Sequence, residues 1–219
     1  MDLKTEQLNF LFQKWEEQVP EYIGHFVKDG IIDEELFRNT NPKILFITKE
    51  PNNPKKDADD FRVWWNTELK YAFSLRISEW TYGILNRFPP YDIIKRSDKD
   101  RFEAIHKIAF MNVKKIGGGS LSEYENIINS VKQDFNFIHK EIEIIDPDII
   151  ILGLSWKEVR TEVFPDLKDK WQDSGYDIAI TRFNKAKVID FYHPSSRNAP
   201  AASYSLLQNV INSSAFINL

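Results

Sequence analysis

Three stretches of the chain set chemistry-bearing side chains directly behind short apolar runs. "KILFITKEPNNP" carries Glu50 immediately before Pro51; "KIAFMNVKKIGGGS" carries Asn112, Lys114, three glycines and Ser120; "KVIDFYHPSSRNAP" carries His193, Ser195, Ser196 and Arg197. An asparagine amide offers a donor and an acceptor side by side, which suits the edge of a nucleobase. Ser195 and Ser196 offer hydroxyls, and Arg197 supplies a fixed cation at a helix start where capping alone would not call for one. Proline keeps the residue before it extended, so Glu50 is aimed by stiff backbone. Taken singly, each stretch has a plainer reading: a solvated loop acid beside Lys49, a flexible glycine loop, a hydrogen-bonded core histidine. A carboxylate, an amide and an imidazole at the same end of neighbouring strands point instead to a site. Gly117 to Gly119 leave backbone N–H groups open to a phosphate, but neither the Lys-Ser/Thr of a P-loop nor a dinucleotide fingerprint accompanies them.

The elements that must hold these residues are four apolar, partly β-branched runs: "PKILFITKEP", "HKIAFMNV", "PDIIILGL" and "AKVIDFYH". Each reads as a strand buried on both faces. The third ends at Gly153 and Ser155, the latter expected as a helix N-cap without chemistry. Helical stretches lie between. Leu8, Leu11, Trp15 and Val19 mark one stripe near the N-terminus. An aromatic-rich helix is expected from Asp59 through "WTYGILNRF", and another from Leu121 to Ile142, opened by a Ser122–Glu125 capping box. "RFPPYDIIKRSDKDR" breaks both periods and reads as an inserted loop or disordered segment. The alternation predicts one α/β domain, a three-layer α/β/α sandwich around a central, mainly parallel four-stranded sheet. Residues 1–40 form a helical decoration in this reading, and 42–219 the core.

With 219 residues, 42% of them hydrophobic, one domain can bury a sizeable core. No run of about 18 apolar residues is present, so no membrane span is expected. The acidic start without an apolar h-region is not a signal peptide, and the expected location is cytoplasmic. The absence of cysteine excludes disulfides, thiolate metal sites and cysteine nucleophiles. A formal charge of −4 means that any basic patch must be local, which suits a shaped pocket with a few cations better than a tight, non-specific nucleic-acid binder.

In the order of these motifs — "KEPNN", "AFMN", "PDIIILGL", "HPSSRN" — the chain resembles the uracil-DNA glycosylase superfamily. The last motif is similar to the histidine motif of the single-strand-selective branch, where an arginine holds the same place. The resemblance runs from about Pro42 to the C-terminus. It implies a DNA glycosylase that hydrolyses the N-glycosidic bond of uracil or a related damaged base flipped out of single- or double-stranded DNA. No metal or organic cofactor is implied, nor any membrane partner, and a monomer is the default. His193 would then hydrogen-bond the departing base, and Glu50 would orient water and steady the oxocarbenium-like sugar. Asn112 would read the base edge. Phe61 would stack on the base, with Trp64 or Trp65 as alternatives, beside Pro51. Ser195, Ser196, Ser120 and Lys114 would hold phosphates, and Arg197 would wedge into the space left by the base. The chain departs from the family at Thr48, where glycine is usual, at Lys49, where Gln, Glu or Met is usual, and at Glu50, which stands for Asp, Asn or Ala. The absence of cysteine excludes the branch that holds an iron–sulfur cluster.

Two other functions fit the same residues. One is a non-catalytic protein of this fold that binds nucleic acid or a nucleobase, favoured by the altered "TKEPNN" motif and the acidic balance. The other is a small-molecule nucleoside or nucleotide hydrolase with the "IGGGS" loop on phosphate.

Overall fold

The computed structural model describes residues 3–67, 69–119 and 121–219. Nine strands are present among them: β1 Val27–Lys28, β2 Gly30–Ile31, β3 Ile44–Thr48, β4 Asp59–Asp60, β5 Ala109–Asn112, β6 Ile149–Leu152, β7 Gln172–Asp173, β8 Ala179–Phe183 and β9 Ala186–Asp190. The α-helices are α1 Lys4–Gln18, α2 Glu34–Arg38, α3 Phe61–Trp64, α4 Ala72–Leu85, α5 Tyr91–Lys95, α6 Asp98–Ile105, α7 Tyr124–Ile145, α8 Lys157–Val163, α9 Pro200–Ile211 and α10 Ser214–Ile217.

The central sheet has seven strands in the order β2-β5-β3-β6-β9-β8-β7, not four. The four expected strands are its parallel core, with β3 between β5 and β6. Antiparallel strands were added at both edges. β2 and β7 are two residues long, too short to show a period. β8 joins β9 through Asn184-Lys185, with Asn184 at φ 52° in the left-handed region that a two-residue hairpin turn demands.

Strands β3, β5 and β6 are buried along their whole length because helices cover both faces of the sheet. Side chains alternate across a strand, and two cores result. Leu45, Ile47, Met111, Ile150 and Leu152 pack with α1, α7 and α8. Ile44, Phe46, Phe110, Ile149 and Ile151 pack with Trp80 of α4 and with Tyr204 and Leu207 of α9. The first forty residues contribute to both: β2 extends the sheet, and Leu8, Phe12 and Trp15 are fully buried.

Several local expectations are corrected. The aromatic stretch is not one helix. The Thr67 N–H and hydroxyl both donate to the Trp64 carbonyl and close α3, and α4 begins seven residues after Trp65. The Pro89-Pro90 segment is not disordered but leads into α5 and α6, the second capped by Ser97 Oγ accepting from Asp100 N–H. Ser122 does not cap α7, whose N-cap is Glu123, and Ser155 does not cap α8, whose N-cap is Trp156. No helix among the described residues is long and apolar enough to cross a membrane.

Candidate functional site at the strand ends

The chain runs from β3 to β5 through α3–α6 on one face of the sheet, and from β5 to β6 through α7 on the other. The order therefore reverses at β3 and β6. The carboxyl ends of two strands whose connections part this way open the crevice in which α/β sheets bind ligands. Gly153 lies just past β6, at the carboxyl ends of these strands. A Cβ on it would come within 3.0 Å of Pro194 Cδ, and within 3.3 Å of both His193 Cα and Thr48 Cγ2. Glycine is needed so that the ends of β3 and β9 can close over β6.

Asn112, the last residue of β5, is 1% exposed. Its N–H donates to Asp29 Oδ2 at 2.7 Å, and its Oδ1 accepts from the Thr48 hydroxyl at 2.7 Å. Its Nδ2 has no hydrogen-bond partner among the described residues. Asp29 is held in turn by Lys115 Nζ at 2.5 Å, and Lys115 also meets Glu141 at 2.8 Å. All three ionisable side chains of this cluster are buried, with exposures of 0–1%. Burial and the neighbouring Asp29 push the Glu141 carboxyl well above its ordinary pKa.

By strand alternation Asn112 shares the face of Phe110. On that face Phe73 lies 5.6 Å from Phe110 and 5.9 Å from the His193 ring, centroid to centroid. The Ser195 N–H donates to His193 Nδ1 at 3.1 Å, so the neutral ring carries its proton on Nε2. Burial, and then the Lys49 charge, lower the His193 pKa from 6.5 to about 4, and the imidazole is neutral at pH 7. The Lys49 ammonium sits 4.7 Å above the Trp156 ring, its own pKa lowered by burial.

The Glu50 side chain is 4% exposed and pairs with Lys114 Nζ at 2.6 Å. Gly118 lies against it: a Cβ there would fall 2.4 Å from the carboxylate. Gly117 is pressed in the same way on the Asn53 carbonyl, at 2.3 Å. The glycine run therefore lets two loops close on each other. One of its expected phosphate donors is already used, since Gly118 N–H donates to the Pro51 carbonyl at 2.9 Å, and α7 starts five residues beyond Gly119.

A scan of the sequence against models of known protein families matches none, and a search of curated proteins finds no significantly similar sequence.

Thr48, Asn112, Phe73 and His193 are thus brought to one edge of one face. Glu50, Pro51 and Lys114 form a layer beside them, tied through Gly118. Phe61 packs against Trp64, Trp65 and Phe110 at 4.9, 5.5 and 5.3 Å, as part of an aromatic cluster. Ser195 and Arg197 are exposed, and Arg197 makes no ion pair among the described residues. Ser196 N–H donates to the His193 carbonyl at 2.8 Å, which tightens the turn. Ser120 lies outside the described residues.

Sequence reasoning missed three members. Phe73 was hidden because the break before α4 resets the helical phase. Asp29 lies 83 residues from the amide it holds. Arg76 is 6% exposed and reaches Ser203 Oγ at 2.8 Å and the Asn198 carbonyl at 3.3 Å, anchoring the histidine turn from below. Among the described residues no three His, Asp or Glu side chains gather closely enough to hold a metal ion. Two shallow grooves of about 530 and 550 Å³ run along α1 and α7, on the face of the sheet opposite Phe73.

Proposed function

We propose that the chain is a DNA glycosylase of the uracil-DNA glycosylase type, acting on uracil or a related base flipped out of DNA. The observation that carries this reading is the His193 ring. It is neutral, its Nδ1 accepts from Ser195 N–H so that its proton lies on Nε2, and it stands beside an aromatic ring on the face that holds an asparagine amide whose Nδ2 has no partner among the described residues. A flipped base needs these things: a stacking surface, a polar edge reader, and a donor aimed at the oxygen that becomes negative as the glycosidic bond breaks. The parallel four-strand core with helices on both faces agrees with the three-layer fold that the sequence resemblance implies.

In this mechanism the base lies against Phe73, with Phe61 behind it in the aromatic cluster. The glycosidic electron pair moves into the base as the C1′–N bond lengthens. Nε2–H of His193 stabilises the charge on the base oxygen without itself being charged. The Glu50 carboxylate orients the water that adds to the cationic sugar. Arg197 and the Ser195 and Ser196 hydroxyls meet flanking phosphates and the emptied stack. Lys49, Lys114 and Arg197 outnumber the one carboxylate of Glu50, so the site suits an anionic strand although the chain is acidic.

One observation favours the non-catalytic alternative. Glu50 is buried and neutralised by Lys114, and a water needs room beside it.

Base release from single- and double-stranded oligonucleotides carrying uracil, hypoxanthine, xanthine or hydroxymethyluracil decides between them. Abasic product from wild type that falls about 10²–10³-fold in His193→Ala, and also falls in Glu50→Gln, is the expected result. Oligonucleotide binding without product from any lesion would assign the binding function instead.

A further inference from the structure

Three aromatic rings lead from the crevice to the surface as a row of near-parallel planes. Phe61 stacks on Trp64 at 4.9 Å and 15°, and Trp64 on Tyr71 at 6.0 Å and 21°. Phe61 and Trp64 are half-buried, whereas Tyr71 is 62% exposed and ends the row in solvent. Phe73 joins the row to the site, lying 6.4 Å from Trp64 and 5.9 Å from the His193 ring. The Tyr71 backbone is fixed, since its carbonyl accepts from Ser74 Oγ at 3.1 Å and from Leu75 N–H at 3.0 Å. Its side chain makes no cap bond to α4, although it stands at the N-cap. Trp64 is its one ring contact among the described residues. A single exposed tyrosine is ordinary. An exposed ring that ends a stack rooted in a candidate base site is a platform, because a stack with an open end grows by adding another flat ring.

We propose that Tyr71 forms a second nucleobase subsite, which takes an unflipped neighbour of the excised base. This rests on the nucleobase reading of the crevice and adds to it a course for the strand, from Phe73 past Trp64 to Tyr71. Every base has a π-face, so the subsite holds the strand without reading its sequence. A neighbour inside a duplex has its faces covered by the adjacent pairs and reaches Tyr71 only by leaving the stack. The subsite therefore acts on single strands and on unpaired ends.

The test moves one abasic tetrahydrofuran spacer through the positions on either side of a uracil in a single strand. The uracil nucleotide carries a 2′-fluoro group, which slows glycosidic cleavage, and Kd is read by fluorescence anisotropy for wild type, Tyr71→Ala and Tyr71→Trp. In wild type one spacer position should weaken binding about tenfold. Tyr71→Ala should weaken binding of the intact strand about tenfold and make that spacer position indifferent. Tyr71→Trp should keep both the affinity and the spacer effect. On a fully paired duplex with the same uracil, Tyr71→Ala should change nothing. A spacer cost that is the same with and without the Tyr71 ring at every position overturns the proposal, as does an equal loss on the duplex. If Tyr71→Ala does not fold, Tyr71→Trp decides: the strand should quench its added fluorescence, and less so with the spacer at the sensitive position, whereas equal quenching overturns the proposal. Base release from the unmodified uracil strand is measured alongside. Coupling between Tyr71 and a neighbouring base without any release supports the subsite and overturns only the glycosylase reading, and no binding of any strand overturns both.

Discussion

His193 is held neutral by its surroundings, and this has two measurable consequences. Between its ordinary pKa of 6.5 and the folded value of about 4, the unfolded chain takes up a proton that the folded chain refuses. Stability therefore falls as pH drops through that window and is unaffected by this group above it. His193→Gln should flatten that part of the curve, read as urea midpoints at pH 7 and pH 4.5; an equal loss in both proteins would assign the acid sensitivity elsewhere. The Lys49 charge also contributes to the depression, so Lys49→Gln should raise the imidazole pKa, seen as an upward shift of the His193 ring-proton NMR titration. If base release requires the neutral ring, its acid limb should move to higher pH in the same variant. The histidine, the amide and the carboxylate were legible in the sequence because each follows an apolar run. Their partners were not. Thr48 stands out only as a departure from glycine, not as the hydrogen-bond donor to Asn112, and Asp29 and Phe73 meet the site only through tertiary packing.

At the scale of elements, the end of β5 is anchored by a buried ionic cluster drawn from three separate segments: Asp29 between β1 and β2, Lys115 after β5, and Glu141 near the end of α7. Lys115→Met leaves the buried Asp29 carboxylate without its cation beside Glu141 and should cost about 3–5 kcal/mol in denaturant unfolding. Replacing all three by apolar residues of similar volume should recover most of that loss, and failure to recover it would mean that the ionic form itself stabilises the fold. A second case sets two effects against each other. Gly83 in α4 would gain about 1 kcal/mol of helix propensity as alanine, but its Cβ would fall 2.7 Å from the Phe88 ring and 2.8 Å from Tyr204. Overpacking of this kind costs about 1–3 kcal/mol, so Gly83→Ala should destabilise despite the propensity. The parallel core was legible because a strand buried on both faces must be a continuous apolar run. The edge strands were not, because two residues carry no period, and the Asn184-Lys185 turn that builds β8 lacks the glycine that usually marks a hairpin.

At the scale of the molecule, a chain of net charge −4 that binds a polyanion must do so through few contacts. Lys114 is spent on Glu50 and Lys115 on Asp29 and Glu141. Arg197 and Lys49 remain at the crevice without ion pairs among the described residues, with Ser195 and Ser196 as neutral phosphate partners. For a single strand each neutralised phosphate contributes about −0.7 to the slope of log K against log salt. Two such contacts predict a slope of about −1.4, shallow for a nucleic-acid enzyme. Arg197→Ala should make it shallower by about 0.7 while leaving the preference among bases unchanged, since a phosphate or wedge contact carries no base identity. The measurement is a fluorescence-anisotropy titration of a uracil-bearing single strand at several salt concentrations. A slope steeper than about −4 would require a basic track outside this crevice and would move the DNA path away from the strand ends. A shallow slope that falls by about 0.7 in Arg197→Ala would support the proposal that the strand crosses the turn that carries His193.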